Sequence, residues 1–167
     1  MDQMKLLEQW HRGLRIEHKS HIRAAAKFER DGRWLSIAAL VASTVVGTSL
    51  FTDVNSPLSS RWKITAGVLS LVAAVLSAIQ GSLKLGEQAT LHRTASQRYG
   101  TLRREVEEVI AEATAGGTIT REIVADLRKR WDEIDADAPN VPQKLYDTVS
   151  TSMQAPAQRT PTQEGPH

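Results

Sequence analysis

Three regimes of apolar patterning follow one another along the chain. From residue 2 to about 31, Leu7, Trp10, Leu14, His21, Ala25 and Phe28 recur at steps of three and four among charged residues, which predicts an amphipathic helix. Trp34 to Phe51 (WLSIAALVASTVVGTSLF) and Ile64 to Leu83 (ITAGVLSLVAAVLSAIQGSL) then carry no charge at all. At about 1.5 Å per residue these runs reach roughly 27 and 30 Å, close to the hydrocarbon thickness of a bilayer. The helical period returns at Leu91, Ala95, Tyr99, Leu102, Val106, Val109 and Ala113, a helix expected to pack on the amino-terminal one. Gly116-Gly117 stops it, and Thr118 or Thr120 can cap a shorter helix whose apolar face is Ile123, Val124, Leu127, Trp131 and Ile134. The segment Ala138 to Pro142 ends that helix, and a fragment around Lys144 to Val149 follows.

The fold class predicted is all-α: a membrane hairpin of two transmembrane helices over 34–83 (spans 34–51 and 64–83), flanked by long cytoplasmic amphipathic helices over 1–33 and 84–150. Ser, Thr, Gln and Pro dominate from Thr151 onward, so 151–167 is expected to be a disordered tail. Trp34 and Trp62 stand at run boundaries as interfacial aromatics do, and Arg33, Lys63 and Lys84 close the runs abruptly. A buried hairpin in a soluble helical bundle is the competing fold, and soluble helices seldom switch polarity so sharply. Gly32 is expected to loosen the join between the first helix and the first span.

Charge placement sets the expected orientation. Lys19, Arg23, Lys27, Arg30 and Arg33 precede the first span, and Lys84, Arg93, Arg98, Arg103 and Arg104 follow the second. The connection TDVNSPLSSRWK has only Arg61 and Lys63 against Asp53 and carries the turn residues of a short outer loop. The positive-inside bias then puts both termini in the cytoplasm. Lys19, Arg23, Lys27 and Arg30 form a basic stripe suited to anionic headgroups of the cytoplasmic leaflet, or simply a solvated face.

Composition narrows the chemistry. The 167 residues include no cysteine, which removes disulfides, zinc fingers and thiol nucleophiles. Net charge is only +2, and Glu105, Glu107, Glu108 and Glu112 interleave the cations after the second span, a poor footprint for nucleic acid. More than thirty residues of charged helix before the first apolar run argue against a cleaved signal peptide. No phosphate-binding glycine loop, nucleophile elbow or catalytic carboxylate pair stands out, so no enzyme activity, catalytic residue or cofactor is expected. His18 and His21 lie three apart in Glu17-His-Lys-Ser-His21, but the order is wrong for a zinc-protease helix and no third ligand is near; metal binding is not expected.

The spans hold more information. Ala39, Ser43 and Gly47 recur every four residues in the first, and Ala66, Ser70, Ala74, Ala78 and Ser82 in the second, faces that allow close helix approach in lipid. Such ladders serve either the pairing of the two spans or a homo-oligomer. Thr44, Thr48, Ser77 and Gln80 are intramembrane polar groups that need a helix contact or water. The candidate pore-lining or helix-contact residues are therefore Ser43, Thr44, Gly47, Thr48, Ser70, Ala74, Ser77 and Gln80.

Around both spans the chain resembles the SLATT family, two-transmembrane effector domains associated with nucleotide-second-messenger synthases and nucleotide-sensing domains. The resemblance rests on His21-Ile-Arg-Ala-Ala25, Val45-Val-Gly-Thr-Ser-Leu-Phe51, Leu76-Ser-Ala-Ile-Gln80, Leu91-His-Arg-Thr-Ala95 with Tyr99, and Leu102-Arg-Arg-Glu105. Trp131, Pro139 and Pro142 fit its carboxy-terminal part, and about residues 5 to 148 are covered. The chain departs at Arg33-Trp34-Leu35-Ser36, where a short Gly-Ile-Pro-like approach to the first span is expected. The resemblance implies a pore-forming or membrane-disrupting effector of a bacterial conflict or anti-phage system in the inner membrane. It would be silent until a separate sensor, nucleotide-second-messenger synthase or nucleotide signal acts, and its opening would harm the infected cell. A non-conducting membrane anchor or scaffold is the alternative. Candidate cytoplasmic packing or regulatory residues are Trp10, His21, His92, Arg93, Tyr99, Arg103, Glu105 and Trp131.

Overall fold

The computed structural model describes residues 3–52 and 60–154, apart from the side chains at 45–52, 60–64, 66, 80, 82 and 154. Among the described residues every element is an α-helix: α1 Gln3–Thr52, α2 Ser60–Leu83, α3 Leu85–Thr114, α4 Arg121–Asp137 and α5 Gln143–Gln154. Two compact units emerge, one from Met1–Ala24 with His92–His167, the other from Ala25–Leu91.

In the first unit the predicted stripes meet. Leu7 and Leu14 of α1, Ala95, Tyr99, Leu102 and Val106 of α3, and Leu127 and Ile134 of α4 form one buried cluster. Each leucine removed from water there contributes about 2 kcal/mol, which fixes the faces that α1, α3 and α4 turn toward one another. Trp10 and Trp131 meet edge to face with ring centroids 6.0 Å apart, tying α1 to α4. α3 stops where the glycines stand: Gly116 has φ 102°, and the Gly117 N–H donates to Glu112 O at 3.0 Å. Of the two possible caps, Thr120 is the one used, its side chain accepting from the Ile123 N–H. Val149 anchors α5 and is fully buried, and that helix runs on to Gln154, past the end at Val149 that the sequence suggests. Leu91, placed on the inward stripe by its spacing, is exposed, whereas the neighbouring His92 and Ser96 are buried.

In the second unit Gly32 does not interrupt the helix, since α1 is helical from Gln3 to Thr52. A glycine costs a helix only about 1 kcal/mol, too little to break one that is propagated on both sides, and no proline stands at Arg33-Trp34-Leu35-Ser36. Gly32 serves a different purpose. A Cβ there would stand 3.3 Å from Leu85 Cβ, so the missing side chain lets the two segments approach. The break in helicity falls instead at Lys84, whose φ of 42° separates α2 from α3.

Burial in this unit is inverted relative to the first. Ala39, Ala42 and Ala73 are buried, while Trp34, Leu40, Val41, Val68, Leu71, Val72 and Val75 are exposed, Leu40 and Leu71 to 67%. Among the described residues no helix is long and apolar enough to cross a membrane. The expected spans run through Val45 to Phe51, Ile64, Ala66, Gln80 and Ser82, whose side chains lie outside the described residues, as does the turn expected over 53–59.

Candidate functional site

The first unit gathers its polar groups at one place where α1, α3 and α4 meet. Positions 17, 18 and 21 on α1 face positions 92, 96 and 99 on α3, because steps of three and four keep each set on one side of its helix. His21 and His92 are 2% and 1% exposed, and their Nδ1 atoms are 3.0 Å apart. That hydrogen bond needs one Nδ1–H and one Nδ1 lone pair, so the contact holds a single proton between the two rings. Burial, reinforced by His92, lowers the His21 pKa to about 4, and burial also lowers that of His92. Both rings are therefore neutral at pH 7. His18 goes elsewhere, its Nδ1–H donating to the Ser96 carbonyl at 2.7 Å. The two histidines whose spacing invites a shared metal thus have different partners.

Tyr99 lies with its ring centroid 5.2 Å from that of His21. Its hydroxyl donates to Asp135 Oδ1 at 2.6 Å, and Trp131 Nε1–H donates to the same oxygen at 3.0 Å. Burial and the hydrogen bond to Asp135 push the Tyr99 phenol well above its usual range, so it stays a donor. Glu17 belongs to the same cluster. Burial first, and repulsion from Asp135 second, raise its carboxyl above the ordinary value. These groups edge an open cavity of about 380 Å³, lined by Glu17, His21, Tyr99, Asp135, Asn140 and Tyr146 among others. The arrangement can hold or pass a proton and can receive positive charge; it has no nucleophile with an adjacent free base.

Of the residues singled out from the sequence, His21, His92, Tyr99 and Trp131 are brought together here, with Trp10 against Trp131. Arg103 and Glu105 turn to other partners: Arg103 lies 3.6 Å from Glu107, and Glu105 accepts from Arg130 at 2.8 Å. Arg93 is exposed. Ser43, Thr44, Ser70, Ala74 and Ser77 are exposed in the second unit, and the Thr44 hydroxyl donates to Leu40 O at 2.8 Å. Gly47, Thr48 and Gln80 have side-chain positions outside the described residues. Glu17 and Asp135 were not legible as site residues. The only signal is helical spacing, Glu17 four before His21 and Asp135 four after Trp131.

No curated protein matches the chain, and no solved structure does. The sequence profile of the SMODS and SLOG-associating 2TM effector domain family 4 matches residues 7–164, which takes in both units. This is an effector-domain family of the two-transmembrane type, associated with SMODS and SLOG conflict systems, and not a known enzyme family. With the match extending over nearly the whole chain, the protein belongs to the SMODS and SLOG-associating 2TM effector domain family 4.

Proposed function

We propose that this chain is the membrane effector of a bacterial conflict system, in which residues 34–51 and 64–83 insert as a hairpin with both termini in the cytoplasm. Several copies then assemble and permeabilise the inner membrane when a separate sensor or nucleotide-second-messenger synthase acts. The observation that carries this reading is the inverted burial of the second unit: alanines inside, leucines, valines and Trp34 outside. In water each such side chain forfeits about 25 cal/mol per Å² of apolar surface left exposed, whereas lipid removes that cost. The first unit, with its leucines inside and its charges outside, suits the cytoplasm.

One hairpin cannot enclose a channel, so permeabilisation requires a homo-oligomer. Ser70, Ala74 and Ala78 stay exposed at four-residue steps on α2, a small-residue face open to another copy. Ser43, Thr44, Ser77, Gly47, Thr48 and Gln80 are the proposed lining or contact residues. The cytoplasmic regions 1–33 and 84–150 carry the regulatory contacts, among them Trp10, His21, His92, Arg93, Tyr99, Arg103, Glu105 and Trp131, with 151–167 as a tail. A non-conducting anchor is favoured by one detail, the Thr44 hydroxyl, which is already used by Leu40 O and needs no aqueous lining. Ion flux from liposomes containing the purified chain, with and without its activating partner, tests the proposal. Flux on activation supports the pore; stable insertion without flux would replace it with the anchor.

A further inference from the structure

The outward side of α1 in the first unit has no partner within the chain. Arg15, Lys19 and Arg23 recur there at four-residue steps, all exposed, and among the described residues none of the three meets a carboxylate. Beside them Ile22 is 46% exposed, an apolar side chain on a cationic ridge. A surface of the opposite kind lies between α3 and α4. It is a groove of about 450 Å³ with Val109, Ile123 and Leu127 as its apolar lining, and α1 contributes nothing to it. Acids dominate the rest of its wall. The cation among them, Arg130, is taken by Glu105 at 2.8 Å, whereas Glu112 and Glu122 meet no cation among the described residues.

We infer that the ridge of one copy docks in the groove of the next, Ile22 against Val109 and Ile123, with Arg15, Lys19 and Arg23 facing the acids of the wall. The two surfaces agree in length as well as in charge. Arg15 to Arg23 covers about 12 Å of α1, and Glu105 to Glu112 about 10 Å of α3. Anionic lipid could accept the ridge but would leave the acidic groove open; a second copy fills both. The net charge of only +2 lets copies approach one another without general repulsion, so the separated patches can steer the encounter. Because ridge and groove are different surfaces, the contact is head-to-tail, and repeated around an axis it closes into a ring. The inference rests on the homo-oligomer proposed above and gives its cytoplasmic contact. One helix face makes a small interface, which adds to the contact between spans rather than replacing it. Both surfaces lie within the first unit.

The chain has no cysteine, so disulfide trapping reads the contact directly. Full-length Ile22→Cys and Ile123→Cys chains, carrying tags of different size, are mixed in neutral detergent and oxidised. A mixed-tag dimer should form, and neither chain alone should give it. Adding Arg15→Glu and Lys19→Glu to the Ile22→Cys chain should slow its formation about tenfold, and adding Glu112→Lys and Glu122→Lys to the Ile123→Cys chain should do the same. Mixing the two charge-reversed chains should restore the wild-type rate, since each reversed surface then meets its complement, and that recovery also shows that both variants are folded. Absence of the mixed-tag dimer, or a rate that charge reversal leaves unchanged, would overturn the inference. So would a fall on ridge reversal that groove reversal does not restore, which would assign the cations to another anionic surface. Light scattering on the wild-type chain separates the two levels of the account: oligomers without the 22–123 cross-link overturn this contact and leave the oligomeric effector standing, whereas monomers overturn both.

Discussion

Acidification should loosen the contact between α1 and α3 in the first unit, because the His21–His92 hydrogen bond accommodates only one Nδ1 proton. His21 titrates at about 4 in the fold against 6.5 for the free side chain. A depressed histidine favours the fold while it is neutral, so its contribution is complete above pH 6.5 and is lost as the pH falls toward 4. The whole gap is worth about 3 kcal/mol, of which about 2 kcal/mol is gone by pH 5. His92, also lowered by burial, adds in the same sense. Glu17 works in the opposite sense, since its raised pKa makes the fold retain a proton and gain on acidification. A comparison with His21→Leu/His92→Leu isolates the pair, because that variant keeps Glu17 and replaces two hydrogen-bonding rings by apolar groups of similar size. Hydrogen exchange of the α3 amides, corrected for intrinsic rates, should show wild-type protection falling about 30-fold between pH 7.5 and pH 5, with a much smaller fall in the double variant. An equal fall in both proteins would refute the assignment of acid sensitivity to this pair.

Gly100→Ala should lower the melting temperature of the first unit and cost about 1–3 kcal/mol, because the added Cβ would meet the His18 ring at 3.0 Å; Gly67→Ala, with open space around it, should not. Tyr99→Phe should cost about 1 kcal/mol in urea unfolding, since Asp135 Oδ1 keeps Trp131 as a donor but loses its 2.6 Å partner. In the second unit, Ala73→Leu should disrupt the hairpin itself, as this alanine is buried. Ala74→Leu should spare the hairpin and reduce only cross-linking between copies, and the reverse order would place the subunit contact on a different face.

Periodic apolar residues made the first unit legible: Leu7, Leu14, Tyr99, Leu102, Val106, Leu127 and Ile134 lie where three- and four-residue steps put them. Turn chemistry was equally readable at Gly116 and Thr120. What escaped were features decided by packing between distant segments. Gly32 reads locally as a hinge, yet it is a site of close approach to Leu85, fifty-odd residues away. The break at Lys84 has no proline or glycine at the position itself, only Gly81 and Gly86 nearby. The polar cluster was half visible. His21 and Tyr99 fall on the apolar stripes, but Glu17 and Asp135 look like ordinary solvated helix carboxylates until α1 and α4 are brought together. The four-residue ladders of small residues mark packing faces without saying which partner each face meets; within the second unit Ala39 and Ala73 are buried, whereas Ser43, Ser70, Ala74 and Ala78 are exposed.

Insertion of the second unit into lipid can be read directly because the chain has no cysteine of its own. Single-cysteine variants Leu71→Cys and Val75→Cys, at exposed apolar positions of α2, are compared with Glu108→Cys on the exposed side of α3, in inside-out membrane vesicles treated with a charged, membrane-impermeant maleimide. With the hairpin in the bilayer, Glu108→Cys reacts at once, whereas Leu71→Cys and Val75→Cys react only after detergent is added. Labelling of Leu71→Cys and Val75→Cys in intact vesicles at the rate of Glu108→Cys would contradict a membrane hairpin and, with it, the proposed permeabilising role.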